Sequence, residues 1–325
     1  MFEPMKWISG FLLLIFAATP AHAQTKLPAE TRNAALRYWL AFAELQDPPA
    51  DKAVADLLEK TAAGEAAWNE EKLGPILDQN EAAITKMQRA TQLPDCDWGL
   101  EYDLGPRASI AYVPKARVLA RLNTLQGMRL AAKGETQKAI DAWLAGIRFS
   151  EDLSKGGTLI FALVAKMGMI SNFHALTRAA GQHAFTAGQK KQIGSVVGAL
   201  PQTGLYWGQA LWYEEATLNV AIREMKEAKS PADYYREVTG KAAPSDFTMP
   251  NKEQIAAFQS LMSKAEEALR LPPDVSREKL QPLQDSVKTL HPFFQDLMPS
   301  LTRINQARIE LETARQQLMQ AIAAK

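Results

Sequence analysis

The stretch PKARVLARLNTLQGMRLAAKGETQKAIDAWLAGIRFSEDL, residues 114–153, decides the fold class. It is rich in Ala, Leu, Arg, Lys and Gln, the residues that lose least on entering a helix. Its apolar positions recur at three- and four-residue steps on either side of Gly134-Glu135. That pattern predicts two helices joined by a tight turn. Gly127 lets the paired helices approach closely, and Ala139 and Ile140 pack the second helix against the first. Trp143 and Ile147 fill the space between them one and two turns later.

Over residues 120–153 this arrangement resembles a tetratricopeptide repeat, most specifically in KGETQKAIDAWLAGI. The match is incomplete. Asn123 and Leu130 stand where the family places large aromatics, and no Pro follows the second helix. A shift of 34 residues in either direction does not reproduce the pattern. One hairpin cannot bury both of its faces. Its neighbours are therefore diverged repeats or unrelated packing partners. The chain also resembles a class of exported bacterial helical proteins with such a hairpin after a Cys-x-Trp loop, here Cys96 to Trp98. The repeat implies right-handed stacking of helix pairs; neither resemblance implies an activity.

Working outward, helical patterns cover almost the whole chain, and no run of alternating β-branched residues stands out. Toward the N-terminus, helices are expected at 31–45, 51–60, 65–72 and 75–91, the last opened by Pro75. The segment 92–107 reads as a long ordered loop that buries Trp98, Leu100, Tyr102 and Leu104. Residues 158–180 are apolar nearly all round, as in a fully buried central helix. Beyond Pro201, a long helix at 205–228 precedes a linker at 239–251. Asn251 and Gln254 have the spacing of a helix-starting capping pair. Seams such as Ile304, Ala307, Leu311, Ala314 and Leu318 predict side-by-side packing, with Pro282, Pro292 and Pro299 marking breaks between or within the segments. The expected organisation is all-α. A leader at 1–23 is followed by stacked hairpins at 24–200, a connecting helix at 201–238, the linker, and an antiparallel helical bundle at 252–325.

The leader has Lys6, an apolar run at 8–18 and Ala21-His22-Ala23 before Gln24, which predicts cleavage after Ala23. The run is shorter than the ~20 residues that span a bilayer. The expectation is a periplasmic or extracellular protein with no stable membrane insertion after cleavage. With 37 Lys+Arg against 36 Asp+Glu, no nucleic-acid partner is expected. Cys96 is the only cysteine, so no disulfide closes within the chain.

No metalloprotease, nucleophile-elbow or phosphate-loop motif is present. His174 reads as a core residue, His183 as a turn residue and His291 as a helix start. Asp95, Asp97, Glu101 and Asp103 crowd around Trp98 but lack the glycine spacing of a calcium loop. No cofactor and no metal are called for. The sharpest chemical candidate is the aromatic run Tyr206, Trp207, Trp212 and Tyr213 beside Glu214 and Glu215, with Trp98 as a further aromatic. Aromatic faces next to a carboxylate suit a glycan-active enzyme with a Glu as general acid. The same residues fall on the helical stripe Trp207, Leu211, Leu218, Ile222 and Met225, which is the pattern of a core. The leading expectation is thus a non-catalytic module binding an envelope protein or peptide. The alternatives are the glycan-active enzyme and a structural protein that self-associates through its C-terminal bundle.

Overall fold

Residues 32–49, 51–108, 110–182 and 184–324 are described here from a computed structural model. The expected leader and His183 lie outside them. All regular structure among the described residues is helical. A first group holds α1 (Ala34–Glu44), α2 (Lys52–Ala63), α3 (Glu70–Gln79) and α4 (Glu81–Ala90). A 3-10 turn (Tyr102–Arg107) leads to α5 (Tyr112–Ala132), α6 (Thr136–Ser154), α7 (Leu159–Gln182) and α8 (Ala187–Gly198). The chain continues as α9 (Trp207–Glu227), α10 (Pro231–Thr239), α11 (Lys252–Leu269), α12 (Pro273–Ser286), α13 (Pro292–Leu297) and α14 (Leu301–Ala323).

The opening stretch forms α5 and α6, joined at Gly134 with a left-handed φ of 77°. A Cβ on Gly127 would lie 2.2 Å from Trp143 Nε1, so the bare glycine is what admits the indole. Trp143 donates from that nitrogen to the Thr124 carbonyl at 3.1 Å. Asn123 is fully buried. It donates to the Ala142 carbonyl (2.8 Å) and accepts from Gln88 (2.9 Å), tying α5 to α6 and α4.

Three helices, α5, α6 and α7, pack mutually, and α14 returns from the far end of the sequence to lie along α7. Helices on either side of residue 200 therefore share one core, and residues 33–325 form a single packed unit. Central as it is, α7 is not buried all round: Ile160, Leu163 and Met167 are 41%, 36% and 43% exposed. It is also the one described helix long and apolar enough to cross a membrane, and 61% of its most apolar window is buried.

Other local expectations are corrected. Pro75 lies inside α3 rather than opening a helix. The break comes at Asn80, where α3 gives way to α4. This buried side chain donates to the Ile76 carbonyl and accepts from the Gln46 backbone at 2.9 Å. Of the prolines expected between or within the later segments, Pro282 sits within α12 and Pro292 opens α13. The connecting helix ends at Glu227, and Ser230 caps a separate α10 with Pro231 in its first turn. Within the expected linker at 239–251, Phe247 and Met249 are partly buried and pack against the core. Leu104, expected inside, is 40% exposed. Asn251 and Gln254 do form the reciprocal capping pair, each bond at 2.8 Å.

Candidate functional site

Asp95 to Gly99 is laced to the start of α1. Ala34 N donates to the Asp95 carbonyl at 2.7 Å. The Asn33 side chain both donates to the Asp97 carbonyl and accepts from the Asp97 amide, each at 2.9 Å. This fixes Trp98 inside, stacked on Tyr112 at 4.8 Å and Tyr38 at 5.4 Å. Its indole N–H donates to the Asp152 carbonyl at 2.8 Å.

Asp152, near the end of α6, is the hub. Its carboxylate accepts from Tyr38 Oη at 2.7 Å and from Lys155 Nζ at 2.8 Å. Lys155 also lies 3.5 Å from Glu151, which accepts from Tyr206 Oη at 3.1 Å. Burial pushes the Asp152 carboxyl up, while Lys155 and Tyr38 pull it down. Burial opposes the Lys155 ammonium too, but Asp152 outweighs it and Lys155 stays protonated. Cys96 is raised by burial and then by Asp152, which keeps it a thiol and a poor nucleophile.

Beside this hub opens a cavity of about 600 Å³, lined by Trp98, Tyr102, Lys155, Tyr206, Gln209 and Tyr213 among others. Tyr102 and Tyr213 stack at 4.2 Å with their planes 14° apart. Gly156, left-handed at φ 67°, faces both of their hydroxyls. The Tyr102 hydroxyl is buried without a hydrogen-bond partner.

Three residues singled out in the sequence, Trp98, Tyr206 and Tyr213, converge here. Trp207 does not: it is fully buried and donates to the Thr203 carbonyl at 3.2 Å. Trp212 is half-exposed and stands edge-on to Tyr213 at 4.9 Å. Glu214 turns the other way and accepts from the Leu159 amide at 3.0 Å, capping the start of α7. Burial raises its carboxyl, against the bonds from Leu159 and Thr158. Glu215 is raised by burial and then by Glu266, and is bonded by the Asn219 side chain. Tyr102 is marked in the sequence only as a buried loop residue, and Lys155 and Gln209 carry no signal there. They come from a loop, a turn and the side of a helix, at spacings set only by the fold.

A second concavity, about 670 Å³, is an open groove. Its floor is α7, with Val164, Met167 and Ile170; α5 and α14 form the walls, and α2 lines it as well. The rims carry paired charges: Arg121 and Arg117 (3.6 Å) on Glu59, and Lys166 on Glu310. His174 lines the groove, its pKa lowered by burial and then by Arg178. His291 caps α13 by accepting from the Phe293 amide at 3.3 Å. Among the described residues, no group of three or more His, Cys, Asp or Glu is placed to hold a metal ion.

No family model, curated protein or solved structure matches this chain.

Proposed function

We propose that the protein is a non-catalytic binding module that takes an amphipathic helical segment of a partner protein along α7. The observation that carries this reading is the exposed apolar stripe Ile160, Leu163 and Met167. These residues fall at i, i+3 and i+7, the spacing at which one helix meets another. The groove continues that line to His174, a run of about 20 Å at 1.5 Å per residue. Methionine on the floor suits an adaptable apolar contact. The paired charges on the rims leave no strong field of either sign, so apolar contact and shape carry the selection. In the same reading, α5 and α6 are one repeat-like hairpin in a right-handed stack, and α11, α12 and α14 form an antiparallel bundle. The setting is the cell envelope, on the strength of the leader at 1–23. Against the rival glycan-active enzyme stands Glu214, whose carboxylate is engaged at the start of α7.

The test is site-specific photocrosslinking in intact cells from position 167, with Lys226 on α9 as the control position. The captured segment is then synthesised and titrated against the protein. The expected result is one adduct from position 167 that is absent from position 226 and lost in Leu163→Asp. The synthetic helix should bind the parent and not that variant. Equal labelling from both positions, or binding unaffected by Leu163→Asp, would refute the proposal.

A further inference from the structure

The cavity beside Asp152 belongs to a different face of chemistry from the apolar stripe on α7. The one ammonium among its lining residues is already matched. Lys155 Nζ lies 2.8 Å from Asp152 and 3.5 Å from Glu151. An anion would have to displace a carboxylate, and a cation would meet the Lys155 ammonium. What remains on offer is hydrogen-bonding: the Tyr102 and Tyr213 hydroxyls, the Gln209 carboxamide, and the Asp97 carboxylate, which already accepts from the Gly99 amide at 3.0 Å. Hydroxyls and carboxamides both donate and accept. The Tyr102 hydroxyl is buried with no partner, an arrangement native proteins seldom leave unfilled. Around these groups lie the rings of Tyr102, Tyr206, Tyr213 and Trp98, apolar surfaces with polar tips. The volume, about 600 Å³, falls within the range of small-ligand pockets.

We propose that this cavity is a binding site for a neutral sugar unit, held by the Tyr102, Tyr213 and Gln209 polar groups against the tyrosine rings. A pyranose has the required character: hydroxyls around its rim that donate and accept, C–H faces that cover aromatic carbon, and no charge. Lys155, fixed by its two carboxylates, contributes as a positioned hydrogen-bond donor rather than as a free charge. Glu151 is bonded by Tyr206 and Lys155 and holds those two side chains in place. The site binds and does not cleave. It is independent of the helix-docking groove, so either can fail alone.

The experiment is isothermal titration calorimetry of the full chain with glucose, galactose, N-acetylglucosamine, maltose and trehalose. Methylamine and acetate serve as charged probes. At least one sugar should bind at millimolar concentration or below, with neither charged probe competing. Tyr102→Phe keeps the ring and removes the orphan hydroxyl, and should weaken binding about two- to tenfold. Gln209 is exposed, so Gln209→Ala tests the same site without threatening the fold, and should weaken binding by a similar factor. Near-UV circular dichroism matched to the parent confirms that each variant is folded; if Tyr102→Phe is not, Gln209→Ala decides. Leu163→Asp, in the stripe on α7, should leave sugar binding unchanged. The proposal is overturned if no sugar binds, if both folded variants bind as the parent does, or if a charged probe displaces the sugar.

Discussion

A methyl group on Gly127 would sit 2.2 Å from Trp143 Nε1 and 2.6 Å from its Cδ1. Alanine gains about 1 kcal/mol of helix propensity over glycine. Forcing extra volume into a packed core costs about 1–3 kcal/mol. The indole is buried and hydrogen-bonded to the Thr124 carbonyl, so it cannot give way cheaply. Gly127→Ala should therefore lower stability, read as a fall in the urea midpoint with an unchanged slope. Tyr38 makes a second single-atom test. Its hydroxyl, well inside the protein, donates to Asp152 across 114 positions of sequence. Tyr38→Phe leaves that carboxylate oxygen without this donor and should cost about 1–3 kcal/mol in the same measurement. The Gly127 contact was legible in the sequence because it is local to one hairpin. The Tyr38 contact was not, because nothing in residues 34–44 indicates which acid lies opposite.

At the scale of elements, helix ends divide into those served by their own sequence and those served from elsewhere. The Asn251–Gln254 and Thr186–Gln189 pairs are local and follow from spacing alone. The start of α7 is instead capped by Glu214 from α9. Burial raises the Glu214 pKa above its value in the unfolded chain, so folding favours the protonated form. Its contribution to stability is full below the ordinary glutamate range and is lost as pH rises through the raised folded value. Glu214→Gln keeps an acceptor for Leu159 and removes that loss, so its stability should vary less with pH across this window. Glu214→Ala removes the acceptor and should cost about 1 kcal/mol. Urea titrations from acid to neutral pH check both. Arg308 serves α11 in the same way. It is fully buried, donates to the Leu271 carbonyl, Ser276 (2.7 Å) and Asn305 (3.1 Å), and is lowered to about 10 by burial. A basic side chain on a C-terminal helix reads as solvated surface, so this role carried no signal in the sequence.

For the molecule as a whole, α14 covers one side of α7, and α11 packs on α9. Ending the chain at residue 251 would uncover apolar faces on both helices. The shortened protein should lose its cooperative transition, whereas the full chain should unfold in one step by fluorescence and circular dichroism alike. Two separate transitions in the full chain would instead indicate that residues 252–325 fold as a domain of their own.

The sequence by itself determined the helical class, the hairpin with its glycine contact, and the helix starts written in adjacent residues. These depend on periodicity and capping within a few positions, where the chain's own geometry sets the distances. It also picked out Trp98, Tyr206 and Tyr213, since large aromatics near polar groups are conspicuous whatever the fold. Tertiary structure alone decided that Glu214 caps a helix, that Trp207 is core, and that Tyr102, Lys155 and Gln209 complete a cavity. It decided as well that α7 keeps one apolar face open. An all-round apolar pattern says that burial would be favourable, but which face lacks a neighbour depends on how many helices are left to cover it.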